Sequence, residues 1–245
     1  MKKVKHHRRG RMKAALPAVS DWRTTDADEI LRRQLRAREE RFGIKSLHPA
    51  EPIYSNFSIH SPSGLTYKVE IRDVLSRHFS CTCTDFRING LGTCKHVEAV
   101  LLQLARRHRA NFAAAKRVGS PYIDIVPDPG AGALRVERGL KHLPATLKQY
   151  FDAHGLQRAG TVAENVLPHL QSSRSRRLRV SQEVAPWMEA RRRAEERILL
   201  RREYESGVQA GRQPEHVTLS PLYPYQREGM LHLAFGERAM LADEM

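Results

Sequence analysis

The sequence predicts an α+β chain, and three observations carry that prediction. "LTYKVEIRDV" sets Leu65, Tyr67, Val69 and Ile71 against Thr66, Lys68, Glu70 and Arg72, the period of two of a half-buried strand. From His96 onward, Val97, Val100, Leu101 and Leu104 recur at helical spacing. Between these patterns lie Cys81, Cys83 and Cys94, which are all the cysteines of the 245-residue chain. The expected architecture is a small ββα unit with flanking helices, a mixed linker region and a C-terminal helix–strand pair.

Positions 1–25 read as a disordered basic arm, with seven Lys or Arg and no acid from Lys2 to Lys13. A helix is expected from about Asp26 to Phe42. Thr25 can cap it, Asp26, Asp28 and Glu29 suit its first turn, and Gly43 can stop it. Leu31, Leu35 and Phe42 give it a thin apolar face. "IYSNFSIH" and "LTYKVEIRDV", joined by Ser61-Pro62-Ser63-Gly64, read as a β-hairpin. "HFSCTC" extends the β character and places Phe79, Cys81 and Cys83 on one face. This helix and ββα unit make up 26–118, with the compact unit at about 53–107.

The region 119–213 carries no motif that names it. "YIDIV" reads as a short strand, and weaker helices are expected at Ala145–His154 and Val162–Leu170. Thr161 and Glu164 have the spacing of a capping box for the second of these. "RRLRVSQEV" reads as a strand. "PWMEARRRAEERILLRREYES" reads as a long charged helix with Pro186 in its first turn and Gly207 at its end.

The cysteine run has the pattern Cys-x-Cys, ten residues, Cys-x-His. Structural zinc takes four N or S ligands in a tetrahedron. In an extended segment Cys81 and Cys83 project from the same face. Residues two apart on a regular helix do not face each other. Cys94 is therefore expected in the turn before the helix, with His96 in its first turn. Gly90 and Gly92 lend the connecting loop its freedom. One Zn²⁺ with three thiolates and a neutral imidazole leaves no open coordination position, so the predicted metal is a single structural ion held by Cys81, Cys83, Cys94 and His96. Lys95, beside it, could offset the cluster's negative charge. His78 and His108 are the alternative fourth ligands, the first if the helix starts later, the second set too far along it.

The run "CTCTDF…GTCKHVEAVLL" resembles the SWIM zinc finger, a Cys-x-Cys…Cys-x-His pattern in a ββα arrangement, over about 53–107. Such fingers occur in bacterial Swi/Snf-type ATPases, plant transposase-derived proteins and some ubiquitin-system proteins. The resemblance implies binding of DNA or of a protein.

A second resemblance lies at Leu219–Met245, within an expected C-terminal segment 214–245. "LSPLYPYQREGMLHLAFGERAMLADEM" is similar to the entry into the first RecA-like lobe of Swi/Snf-type DNA-dependent ATPases, where a Tyr-Gln-x-x-Gly helix precedes a Leu-Ala-Asp-Glu-Met strand. The resemblance implies that Gln226 would contact the adenine of ATP. A phosphate loop would follow next in that family, and the sequence as given stops at Met245. No G-x-x-x-x-G-K-[ST] occurs elsewhere in it. The expectation is a truncated lobe that neither binds ATP productively nor hydrolyses it. No Ser-His-Asp or HExxH arrangement is present, so no catalytic residue is assigned, and Asp124 and Asp128 have no evident acid–base partner.

The formal charge of +15 concerns partners and not fold. Besides the arm, "ARRHRANFAAAKR" holds five basic residues and no acid, and Arg174–Arg202 holds ten arginines against four glutamates. Non-specific DNA is the expected partner, with Arg174, Arg176, Arg177, Arg191, Arg192 and Arg193 as phosphate contacts. The rival expectation is a protein-interaction adaptor in which the zinc is purely structural. No apolar run approaches the roughly 18–20 residues of a membrane span. Three cysteines cannot all pair internally. A cytoplasmic protein without membrane contact, nucleoid-associated if bacterial, is the resulting expectation.

Overall fold

The computed structural model describes residues 24–215 and 220–236. The basic arm and the expected strand "RAMLADEM" lie outside the described residues, apart from Thr24 and Thr25. The chain is α+β, as predicted, and divides into two compact units, Met1–Tyr122 and Ile123–Met245.

The first unit opens on α1 (Asp26–Glu39). Its N-terminus is closed by a reciprocal cap. The Asp28 amide donates to the Thr25 hydroxyl at 3.3 Å, and the Thr25 amide donates to the Asp28 carboxylate at 3.0 Å. The helix ends three residues earlier than expected, at Glu39. Gly43 instead starts β1 (Gly43–Ser46), which the sequence did not suggest because four residues are too few to establish a period of two. Phe42 packs onto the core from between these elements.

A four-stranded antiparallel meander follows in the order β1-β2-β3-β4. β2 (Asn56–His60) and β3 (Thr66–Asp73) form the expected hairpin, with Phe57 opposite Val69 and Ile59 opposite Tyr67. β4 (His78–Cys81) pairs Cys81 with Val69 and Phe79 with Ile71. The predicted alternation holds at the start of β3 and fails at its end. Leu65 is 58% exposed, whereas Glu70, Arg72 and Asp73 are all buried. The polar face of β3 is buried because its charges are paired. Arg72 donates to Glu70 at 3.0 Å, Ser80 donates to the same carboxylate, and Asp73 accepts the Ser120 amide at 2.9 Å.

After β4 the chain forms a short α2 (Thr84–Ile88), then α3 (Lys95–Arg107) and α4 (Arg109–Val118). α3 buries Val97, Val100, Leu101 and Leu104 against the sheet, which is the stripe its spacing predicted. α4 adds Phe112 and Ala115 to the same core.

The second unit carries a three-stranded sheet in the order β6-β5-β7. β5 (Ile123–Asp128) and β6 (Ala133–Arg138) form an antiparallel hairpin, and β7 (Leu178–Val180) lies parallel to β5. A 3-10 turn (Leu140–His142), α5 (Ala145–Lys148) and α6 (Ala163–Gln171) fill the crossover. The helix expected over Ala145–His154 is only one turn long. Beyond it the chain turns at Asp152, whose carboxylate accepts the His154 and Leu156 amides. The expected Thr161–Glu164 box does not form. Val162 occupies the cap position, and Thr161 instead donates to the Arg158 carbonyl at 2.7 Å.

α7 (Val184–Gln209) is the long charged helix. It runs through Gly207, which is buried with Gln213 where a side chain would stand, and closes at Ala210. α8 (Pro224–Phe235) packs on α7 through buried Leu231, the Arg201–Glu228 ion pair at 2.8 Å and the Tyr204–Phe235 rings. Asp124 and Asp128 are structural here, paired with Arg179 and Arg135 at 2.6 Å each.

Gly155 sits in the left-handed region at φ +78, and a Cβ there would lie 2.9 Å from the Val136 carbonyl oxygen. Its own carbonyl accepts the Val136 amide at 2.7 Å. Gly155→Ala is therefore expected to destabilise the second unit by at least about 1–2 kcal/mol, the left-handed penalty alone. A urea transition monitored through Trp187, which packs against that core, checks it.

Candidate metal centre

Each ligand arrives on a different piece of backbone. β4 ends on Cys81, and Cys83 follows as the N-cap of α2. The loop after α2 reverses through Gly90 at φ +67 and Gly92 at φ +63, conformations that favour glycine. Cys94 is the N-cap of α3, and His96 lies in its first turn. The elementary argument that a Cys-x-His pair must straddle a helix start is met.

The three Sγ atoms and one imidazole nitrogen lie within 4.8 Å of one another, and all four residues are buried. His96 Nδ1 is 3.9 Å from both Cys81 Sγ and Cys94 Sγ. A tetrahedral ion with bonds of about 2.0–2.3 Å needs edges of roughly 3.6 Å, so the cage is close to size. The donor set also fits, since thiolate and imidazole suit a soft or borderline cation. The group can hold one metal ion. It excludes the alternative ligands: His78 lies on β4 and His108 closes the far end of α3, both outside the cluster.

The surroundings hold the ligands in place. His96 Nε2 is buried without a hydrogen-bond partner. The ring is oriented by packing, with Tyr67 at 4.4 Å and tilted, and Phe42 edge-on at 5.6 Å. The Phe86 amide donates to Cys83 Sγ at 3.4 Å, the α2 capping bond. Arg33 bridges α1 to Asp85 at 2.6 Å. Lys95, expected to offset the cluster's charge, turns away to Glu40 at 2.6 Å, with its ammonium 5.8 Å from the Phe42 ring centre.

Without a cation the sulfurs compete for protons. Hydrogen bonds from Cys81 and Cys94 push the Cys83 thiol down. The same hydrogen bond pushes Cys81 up to about 12, and the bonds of Cys94 to Cys81 and Cys83 push Cys94 up as well. A divalent ion at the centre would bind the sulfurs as thiolates, so metal uptake at such a site releases protons.

The remaining predicted site residues are not gathered. Gln226 is exposed at the start of α8, and its Oε1 accepts the Tyr223 amide at 3.1 Å, so it caps its own helix. Arg174, Arg176 and Arg177 are exposed on the segment before β7. Arg191 donates to the Gly132 carbonyl at 2.6 Å and covers Trp187. Arg192 pairs with Glu189 at 2.9 Å, and Arg193 reaches the same carboxylate at 3.6 Å. Arg192 and Arg193 are thus engaged along their own helix. The glutamates three and four residues from them were the signal in the sequence.

Comparison of the chain with protein-family models, with curated proteins and with solved structures found no match. Among the described residues, no helix is long and apolar enough to cross a membrane.

Proposed function

We propose that the Cys₃His centre holds one structural zinc ion and that the unit built around it is a SWIM-type module that binds nucleic acid without sequence preference. The convergence of four buried ligand atoms within 4.8 Å carries this reading. Zinc is the ion of choice because a closed set of three thiolates and one imidazole, with no position left for water, is a structural zinc set. Bound there, it would join β4, the α2 loop and α3. The ion supplies cross-linking and no reaction chemistry.

The order of elements supports the module: hairpin, Cys-x-Cys, glycine loop, then Cys-x-His opening a helix. The net charge of +15 supports a polyanionic partner. The run around Gln226 supports an accessory role beside a Swi/Snf-type motor. We propose no enzymatic activity for this stretch, and a cytoplasmic setting beside nucleic acid.

Anisotropy of a labelled random-sequence DNA duplex tests the reading. Affinity should fall linearly with salt on logarithmic axes, with a slope of about −0.9 for each phosphate neutralised. A slope near zero in zinc-loaded protein would remove nucleic acid as the partner and leave the adaptor reading.

A further inference from the structure

Resting on the nucleic-acid reading above, we propose that the duplex-binding surface is the groove between α1 and α3 in the zinc unit, and not the arginine-rich helix α7. Arg38 and Arg41 at the end of α1, with Arg106 and Arg107 in the last turn of α3, line one groove of about 390 Å³. All four are exposed, and none has an ion pair among the described residues. Arg38 also lines an adjoining cavity of about 210 Å³, to which Arg77 and Lys116 contribute. Five cations without an ion pair among the described residues therefore share this face, and a sixth, Arg77, is held by Glu98.

The two acids on that face are already neutralised. Burial pushes Glu40 up, but hydrogen bonds from Lys95 and Arg36 outweigh it and hold its carboxyl below the ordinary range. Glu98 accepts from Arg77 at 2.7 Å and from Thr93 at 2.8 Å. The chain from Ala99 to Ile123, which supplies Arg106, Arg107 and Lys116 to this face, contains no Asp or Glu. On α7, by contrast, Arg192, Arg193 and Arg201 are bound to glutamates. A guanidinium held by a carboxylate must exchange it for a phosphate, whereas a free one adds a phosphate outright.

The groove also favours duplex over single strand. Binding of single strands relies on exposed rings for base stacking. The groove's aromatic ring, Phe42, is half-buried and held between Lys95 and the edge of His96. What remains is an array of forks suited to backbone phosphates.

The experiment measures salt slopes for the full zinc-loaded chain on a 20-base-pair random duplex. Arg106→Ala with Arg107→Ala should lower the slope by about 2, as should Arg38→Ala with Arg41→Ala, and Arg106→Lys with Arg107→Lys should retain it. Arg192→Ala with Arg193→Ala should leave it unchanged. These side chains are exposed, and unaltered zinc content confirms that each variant is folded. Groove variants at the parental slope, with loss confined to the α7 pair, would overturn this surface while sparing the function above. A parent chain without salt-dependent binding would overturn both. Tighter binding to a single strand of equal charge, or displacement of the duplex by polyglutamate at equal charge, would also overturn the assignment.

Discussion

Stripping the metal with a chelator is expected to unfold the first unit and leave the second intact. The reason lies in where the ligands sit. Cys81, Cys83 and Cys94 are members of the same buried cluster as Phe57, Val69 and Leu104. The ion would therefore be part of the core and not an ornament on it. Structural zinc contributes on the order of 10–16 kcal/mol in small zinc units, and whole domains are stable by only about 5–15 kcal/mol. Loss of the ion also leaves three crowded sulfurs in a buried space with nothing to bridge them. Elemental analysis of the purified chain should return one zinc, and Cys94→Ser or His96→Ala should lose most of it. After chelation, hydrogen exchange should accelerate at Ile59, Val69 and Ile71. Amides of Ile125 and Leu134, in the separate second core, should keep their protection. Unchanged protection in the first unit after complete metal removal would show that the centre does not support the fold.

Breaking the Glu70–Arg72 pair is expected to be nearly as damaging. Both side chains are within a tenth of full burial, with the contact at 3.0 Å. Arg72 donates further to the Phe79 carbonyl, and Ser80 to Glu70, so the pair ties β3 to β4 beside Cys81. Removing one partner leaves a buried charge without its counterion, which costs about 3–5 kcal/mol. Arg72→Met or Glu70→Leu alone should lower the stability of the zinc-loaded unit by that amount in urea unfolding. The two together should cost much less than their sum, because no orphan charge remains. Full additivity would mean that the two side chains act independently and that the ion pair is incidental.

Particular residues show how much could be read before folding. Thr25 and Asp28 announce the start of α1 because a cap is decided within four residues. The hairpin around Ser61–Gly64 and the Cys-x-His entry to α3 are equally local. β1 gave little signal because four residues are too few to set a period, whereas β6 does alternate, with Leu134 and Val136 buried on either side of Arg135. The parallel pairing of β5 with β7 joins residues 55 apart, as between Ile123 and Leu178, and no window of sequence reports it. The arginines are the clearest lesson. Counting charge singled out Arg174–Arg202, but charge counts ignore pairing. The glutamates of α7 occupy many of its arginines, while the acid-free run from Ala99 to Ile123 leaves Arg106 and Arg107 free.

Sequence alone determined which four residues gather into one Cys₃His cluster, the position of Cys94 before a helix and of His96 within it, and the α+β class. All of these follow from spacing, because i to i+2 geometry differs between strand and helix. Tertiary structure decided which distant residues share a surface: that β3 could bury charges on its polar face, that Lys95 serves Glu40 and not the thiolates, and that α1 and α3 bring their arginines to one groove. Local stereochemistry is encoded residue by residue, whereas pairing and burial depend on which chain segments happen to arrive at the same place.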